Sequence, residues 1–174
     1  MPRYVAFLRG VTPQNAKMAD LKRCLEEAGY ADVRTILSSG NVAFNATRAV
    51  PAAIEHHIEQ SVEAALGRFF GTTVRTAEHL QQLVTLDPFA DDDVAPDAKR
   101  VITFLRRPVS ALPDLPIERD GVRILRLRGQ EVFTAYVPNA KGPVFMTLLE
   151  RTFGKDITTR TLDTVRKCAF ARES

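Results

Sequence analysis

Long apolar runs are missing from this sequence, and so are the cysteine, histidine and glycine patterns that mark common metal and cofactor sites. The first apolar run, Tyr4 to Leu8, is too short for a signal peptide or a membrane span. No later segment is long and uncharged enough to cross a bilayer, so cytoplasmic residence without membrane contact is the expectation. Cys24 and Cys168 lie far apart, with no CxxC spacing and no adjacent histidine, which argues against redox or metal work. Each falls at helical spacing with apolar neighbours and reads as a small buried residue. His56 and His57 are adjacent, about 100° apart around a helix, and so do not form the i, i+4 pair of helical zinc sites. His79 opens the next helical segment. Asp91, Asp92 and Asp93 lack the glycine and terminal glutamate of an EF-hand loop. Nucleophile-elbow, Walker and Rossmann glycine patterns are missing too. No metal, no cofactor and no catalytic set are read from the chain.

What is there is a 174-residue chain, 45% hydrophobic and 26% charged, which is enough to build a real core. Its net charge of +3 is unevenly spread. Residues 1–90 hold nine Lys/Arg and nine Asp/Glu; residues 91–98, "DDDVAPDA", hold four carboxylates and no base. Residues 99–174 hold fifteen Lys/Arg against eight Asp/Glu. The acidic stretch reads as a disordered linker before a basic second half.

Periodicity orders the first half. "RYVAFLR" alternates as a strand. "KMADLKRCLEEAGY" has helical spacing and ends at Gly29. "VRTILS" and "NVAFNA" are strands on either side of a Ser-Gly-Asn turn, with Gly40-Asn41 as a two-residue hairpin connection. "VPAAIEHHIEQSVEAALGRFF" predicts a long helix with Ile54, Ile58, Val62, Ala65 and Phe69 on one face, stopping at Gly71. "TTVRT" is a fourth strand, followed by a short helix carrying Leu80, Leu83 and Val84. The order βαββαβ is the split βαβ arrangement of ferredoxin-like folds.

The second half echoes the first. "VAFLR" (5–9) returns as "ITFLR" (102–106), "GNVAF" (40–44) loosely as "GQEVF" (129–133), and "LGRFFGTTVRT" as "LERTFGKDITT". Between the strands at 100–106 and 122–128, the prolines of "RPVSALPDLPIERDG" leave no room for a full helix. The reading is an α+β protein of two ferredoxin-like (βαββαβ) units related by internal duplication, the second degenerate. They would span residues 1–90 and 99–174, joined by the acidic linker 91–98. Short-period repeats are absent.

The blocks "YVAFLRGV", "MADLKRCLEEAGYADVRTILSSGNVAF", "FFGTTVRT" and "ITTRTLDTVRK" occur in an order that resembles the bacterial family called domain of unknown function 1697. The resemblance implies a compact α+β protein with duplicated ferredoxin-like units and implies no activity. The chain departs from the family's pattern in two places. It reads "VTPQNAKM" where many relatives carry a glycine-rich "INVGG"-type loop. Arg160-Thr161-Leu162-Asp163-Thr164 keeps only the ends of an Arg-Asn-Trp-Asn-Thr pattern.

Three functional readings stay open. The first is a non-catalytic binding or regulatory protein for an anionic ligand, held by a polar rim of Arg9, Lys17, Ser39, Asn41 and Arg160. Sequence alone leaves open whether the end of the first strand lies beside the turn at 38–41. The second is a nucleic-acid module using Arg100, Arg106, Arg107, Arg126 and Arg128, with Arg123 facing the other way by the period of two. It lacks exposed stacking aromatics and a strict RNP motif. The third is a small enzyme built on the Arg9, Ser39 and Arg160 rim. The partner is left unidentified by the sequence, with an anionic small molecule and a nucleic acid as the candidates, and monomer or dimer is undetermined.

Overall fold

The computed structural model describes residues 1–138 and 144–172. Those residues form a mixed α+β protein, with two antiparallel sheets and five helices among them, in two compact units. The first comprises Met1–Thr85 and Thr164–Ser174, the second Leu86–Asp163.

In the first unit the elements are β1 (Arg3–Leu8), α1 (Met18–Glu27), β2 (Ala31–Ile36), β3 (Asn41–Asn45), α2 (Pro51–Leu66), β4 (Thr72–Thr76) and α3 (Ala77–Thr85). The strands lie in the order β2-β3-β1-β4. Alternation along β1 sends Tyr4, Ala6 and Leu8 to one face, where they join Leu21 and Leu25 of α1 and Ile54, Ile58 and Val62 of α2 in one core. Val5 and Phe7 point the other way and are also fully buried, and α3 packs along β1 and β4 on that unit.

Helix α2 begins with Pro51 at its first turn, where a missing N–H costs nothing. It ends at Leu66 because Gly67 takes the left-handed conformation, φ 69°, and donates its N–H to the Glu63 carbonyl at 2.8 Å. The helix is therefore shorter than the sequence periodicity predicts. Phe69 and Ala65 are exposed, and Phe70 enters the core instead.

The hairpin turn also differs from expectation. Ile36 pairs with Asn41, so the loop is the four residues 37–40 and Asn41 is the first residue of β3. Gly40 sits at φ 85°, and a Cβ there would lie 2.9 Å from the Val11 side chain and 3.0 Å from the Leu8 carbonyl. Both the backbone conformation and the close approach require glycine.

The second unit contains β5 (Lys99–Leu105), β6 (Ile117–Arg119), β7 (Val122–Arg128), β8 (Glu131–Tyr136), α4 (Val144–Phe153) and β9 (Ile157–Thr161), in the sheet order β6-β7-β8-β5-β9. The final helix, α5 (Leu162–Ala169), starts in this unit and continues into the first. There Gln81 donates to the Ala169 carbonyl at 2.8 Å and Arg3 to the Ala171 carbonyl at 3.0 Å.

Where the prolines exclude a helix, the chain forms the edge strand β6. It is joined to β7 through Asp120 and Gly121, both at positive φ, as a two-residue hairpin favours. One core of this unit gathers Leu105, Val122, Ile124, Val132, Leu148, Leu149 and Ile157 beneath α4.

Gly40→Ala is expected to lower unfolding free energy by about 1–3 kcal/mol, the scale of left-handed strain plus overpacking. Urea denaturation reads it, and an unchanged midpoint would contradict the close approach to Val11.

Candidate functional site

The first candidate is the rim at the end of β1. The Leu8 N–H donates to the Gly40 carbonyl at 2.8 Å, and the Arg9 N–H to the Gly71 carbonyl at 2.8 Å. The end of β1 therefore lies beside the 37–40 turn, which brings Arg9, Ser39 and Asn41 to one end of the sheet. Asn41 is fully buried, and its amide donates to the Ile36 carbonyl at 3.0 Å and the Ser39 hydroxyl at 2.9 Å. These two bonds brace the hairpin from within. Lys17 is exposed at the N-terminal end of α1. The preceding loop closes on itself, Asn15 accepting from the Thr12 N–H at 2.9 Å and donating to the Gly10 carbonyl at 2.8 Å. Arg160 belongs to the second unit, on β9 beside Ile102, and its guanidinium donates to the Thr159 carbonyl at 2.7 Å.

Two glutamates escaped the sequence reading. Glu55 and Glu59, one turn apart on α2, are almost wholly buried. Glu55 accepts from the Val74 N–H at 2.8 Å, and Glu59 from the Thr72 N–H at 3.1 Å. β4 is an edge strand, and the two carboxylates satisfy its alternate N–H groups. The signal was their i, i+4 spacing on the same helix as Ile54 and Ile58.

The other reactive groups are quiet. Burial pushes the Cys24 thiol above its ordinary range, with Glu27 and Asp20 adding to the effect, which makes it a poor nucleophile. Tyr30 shares a 2.6 Å hydrogen bond with His57 Nδ1, and burial raises the phenol. Among the described residues no three His, Cys, Asp or Glu side chains are placed to hold a metal ion. Nor is any helix among them long and apolar enough to cross a membrane.

A further charge arrangement lies on β7. Its register shifts between Ile124 and Arg126. Arg123 pairs with Ala135, Arg126 with Phe133 and Arg128 with Glu131. Those partners are alternate residues of β8, so all three arginines share one face. Strict alternation had put Arg123 on the opposite face; the bulge corrects it. In the same rows Ile102 stands between Arg160 and Phe133, and Arg100 pairs with Ala135. The centre of this face is closed, since Ile102, Phe104 and Phe133 are fully buried. Arg128 sits over the Phe133 ring at 5.8 Å. Arg106 and Arg107 follow β5 and approach Asp156 at 3.9 and 4.0 Å, with Arg107 85% exposed.

The acidic stretch is folded rather than disordered. Phe89 is buried and meets Phe133 edge-on, ring centroids 5.9 Å apart. The Asp92 N–H donates to the Phe89 carbonyl at 3.2 Å. Asp92 Oδ2 is 2.6 Å from Arg126, and the Asp93 carbonyl accepts from Arg123 at 2.6 Å. Arg123 also pairs with Glu118 at 2.9 Å. Residues 86–163 therefore carry twelve Lys/Arg and twelve Asp/Glu in one compact unit, so the basic excess seen from residue 99 onward is balanced within it.

Glu55→Leu is expected to cost about 2 kcal/mol by leaving the Val74 N–H buried and unpaired. Chemical denaturation tests this, and a neutral result would mean the carboxylate adds nothing to the edge of β4.

Comparison with known proteins bears on the fold and the family. No curated protein matches the chain. A solved structure of a conserved bacterial protein from Streptococcus pneumoniae is similar, with a TM-score of 0.72 at 19% identity over 97% of each chain. At that identity the likeness concerns the fold alone. The family described as "Protein of unknown function (DUF1697)" matches residues 1–133, which leaves the C-terminal "ITTRTLDTVRK" block outside the match. The chain thus belongs to the DUF1697 family of proteins of unknown function.

Proposed function

We propose that this chain is a non-catalytic, cytoplasmic binding protein for a polyanion, and that the polyanion is single-stranded nucleic acid tracked by the arginines of β7. The scaffold in this reading is a pair of ferredoxin-like units descended from an internal duplication, the second degenerate. What supports the duplication is the correspondence of β2-β3-β1-β4 with β7-β8-β5-β9. Matching hydrogen bonds go with it. Leu8 N–H to Gly40 O and Leu105 N–H to Gln130 O are both 2.8 Å. On the same registers Arg75 corresponds to Arg160. Each guanidinium turns back to the carbonyl before it, at 3.1 and 2.7 Å.

The observation that carries the binding reading is the bulge in β7, which brings Arg123, Arg126 and Arg128 onto one face. Arg126 and Arg128 are two residues apart on an extended strand, about 7 Å, a repeat suited to a repeating polyanion. The buried centre of the sheet face offers no open ring for base stacking. Recognition in this reading runs through phosphates, is insensitive to sequence and depends strongly on salt.

Fluorescence anisotropy with a labelled single-stranded oligonucleotide at several salt concentrations tests it. The wild-type protein should bind at low salt, with log K falling against log salt at a slope of about −2 for three phosphate contacts. Arg128→Gln should make that slope shallower by about 0.7. No binding at low salt, or binding without salt dependence, would overturn the reading.

A further inference from the structure

The segment 87–93 touches the proposed phosphate-tracking arginines with a carboxylate and a backbone carbonyl, oxygen acceptors of the kind a phosphate would offer. Phe89 anchors it on Phe133. Asp92 then places a carboxylate oxygen 2.6 Å from Arg126, and Asp93 places a carbonyl 2.6 Å from Arg123. Its own backbone is braced: Ala90 N–H donates to Asp87 O at 3.0 Å, and Phe89 N–H to Asp87 Oδ1 at 3.2 Å. Neither charged partner of the ion pair is open to solvent for more than a fraction of its surface, with Asp92 16% and Arg126 28% exposed.

We infer that this segment is an autoinhibitory strap: Asp92 and the Asp93 carbonyl occupy the positions on Arg126 and Arg123 that phosphates of a bound strand would take. The inference rests on the nucleic-acid reading of β7 and adds its regulation. A strand that engages only Arg128 meets no strap. One that engages all of β7 must displace Asp92 first. Displacement also parts Phe89 from Phe133 and replaces an intramolecular anion with an intermolecular one. The apparent affinity of the intact protein for such a strand is therefore the intrinsic affinity multiplied by the fraction of molecules in which the strap is open.

The test uses full-length protein and the same labelled oligonucleotide. Asp92→Asn keeps the size of the side chain and removes its charge. It should tighten binding about tenfold relative to wild type. Glu63→Gln, on α2 in the other unit, makes the same change in net charge and should stay within about twofold. Hydrogen exchange on the wild-type protein gives a reading that needs no variant. The amides of Ala90 and Asp92 should lose protection when oligonucleotide is added to saturation. Equal affinities for Asp92→Asn and Glu63→Gln, or strap amides that stay protected in the complex, would overturn the strap while leaving β7 binding in place. Absence of wild-type binding at low salt would instead remove the reading on which the strap depends.

Discussion

One extra residue in β7 resets the alternation of side chains, and the charge distribution of the second unit follows from it. Ile124 still pairs with Thr134, but Arg126 pairs with Phe133, so Leu125 is the residue left over and is itself buried. Without that shift Arg123 would face the core beneath α4, where an unpaired guanidinium carries a heavy desolvation cost. With it, all the β7 arginines share the face that carries Phe133. The bulge thus keeps one face apolar and gathers charge on the other.

A face with several arginines and no counter-charge would repel itself, and the chain supplies the counter-charge locally. Asp92 and Glu118 both precede β7 in sequence, in separate segments, and pair with Arg126 and Arg123. Phe89 contributes the apolar anchor that holds the acidic segment in place, burying its ring against Phe133. Exposed ion pairs contribute little by themselves. Here, burial of Phe89 fixes the geometry and the carboxylate then finds its partner already ordered. The first unit solves a related problem by the same kind of local pairing. Its edge strand β4 would leave N–H groups unsatisfied, and Glu55 and Glu59 accept them from a helix already packed against the sheet.

Much of the element order was legible because apolar periodicity alone sets it. β1, α1, β2, β3, β4 and α3 fall where alternation and helical spacing place them. The departures have local causes. Gly67, with room for a positive φ, ended α2 before the apolar pattern did, so Phe69 is outside and Phe70 inside. β6 was missed although the Asp120-Gly121 pair before "VRIL" is a strong hairpin signal. Of the candidate site, Arg126 and Arg128 were legible as a pair on one strand face, but Arg123 was placed on the other. A bulge breaks the period of two that sequence reasoning relies on, and aspartates read as a linker give no hint of where they dock.

The central claim is that the acidic segment is held on β7 by a specific pairing rather than by loose attraction. A double-mutant cycle on Asp92 and Arg126 measures that pairing directly, using Asp92→Asn, Arg126→Gln and the double variant in urea denaturation. A coupling of about 1 kcal/mol that shrinks as salt is raised is the expected result for a partly buried ion pair. Strictly additive effects, unchanged by salt, would contradict it.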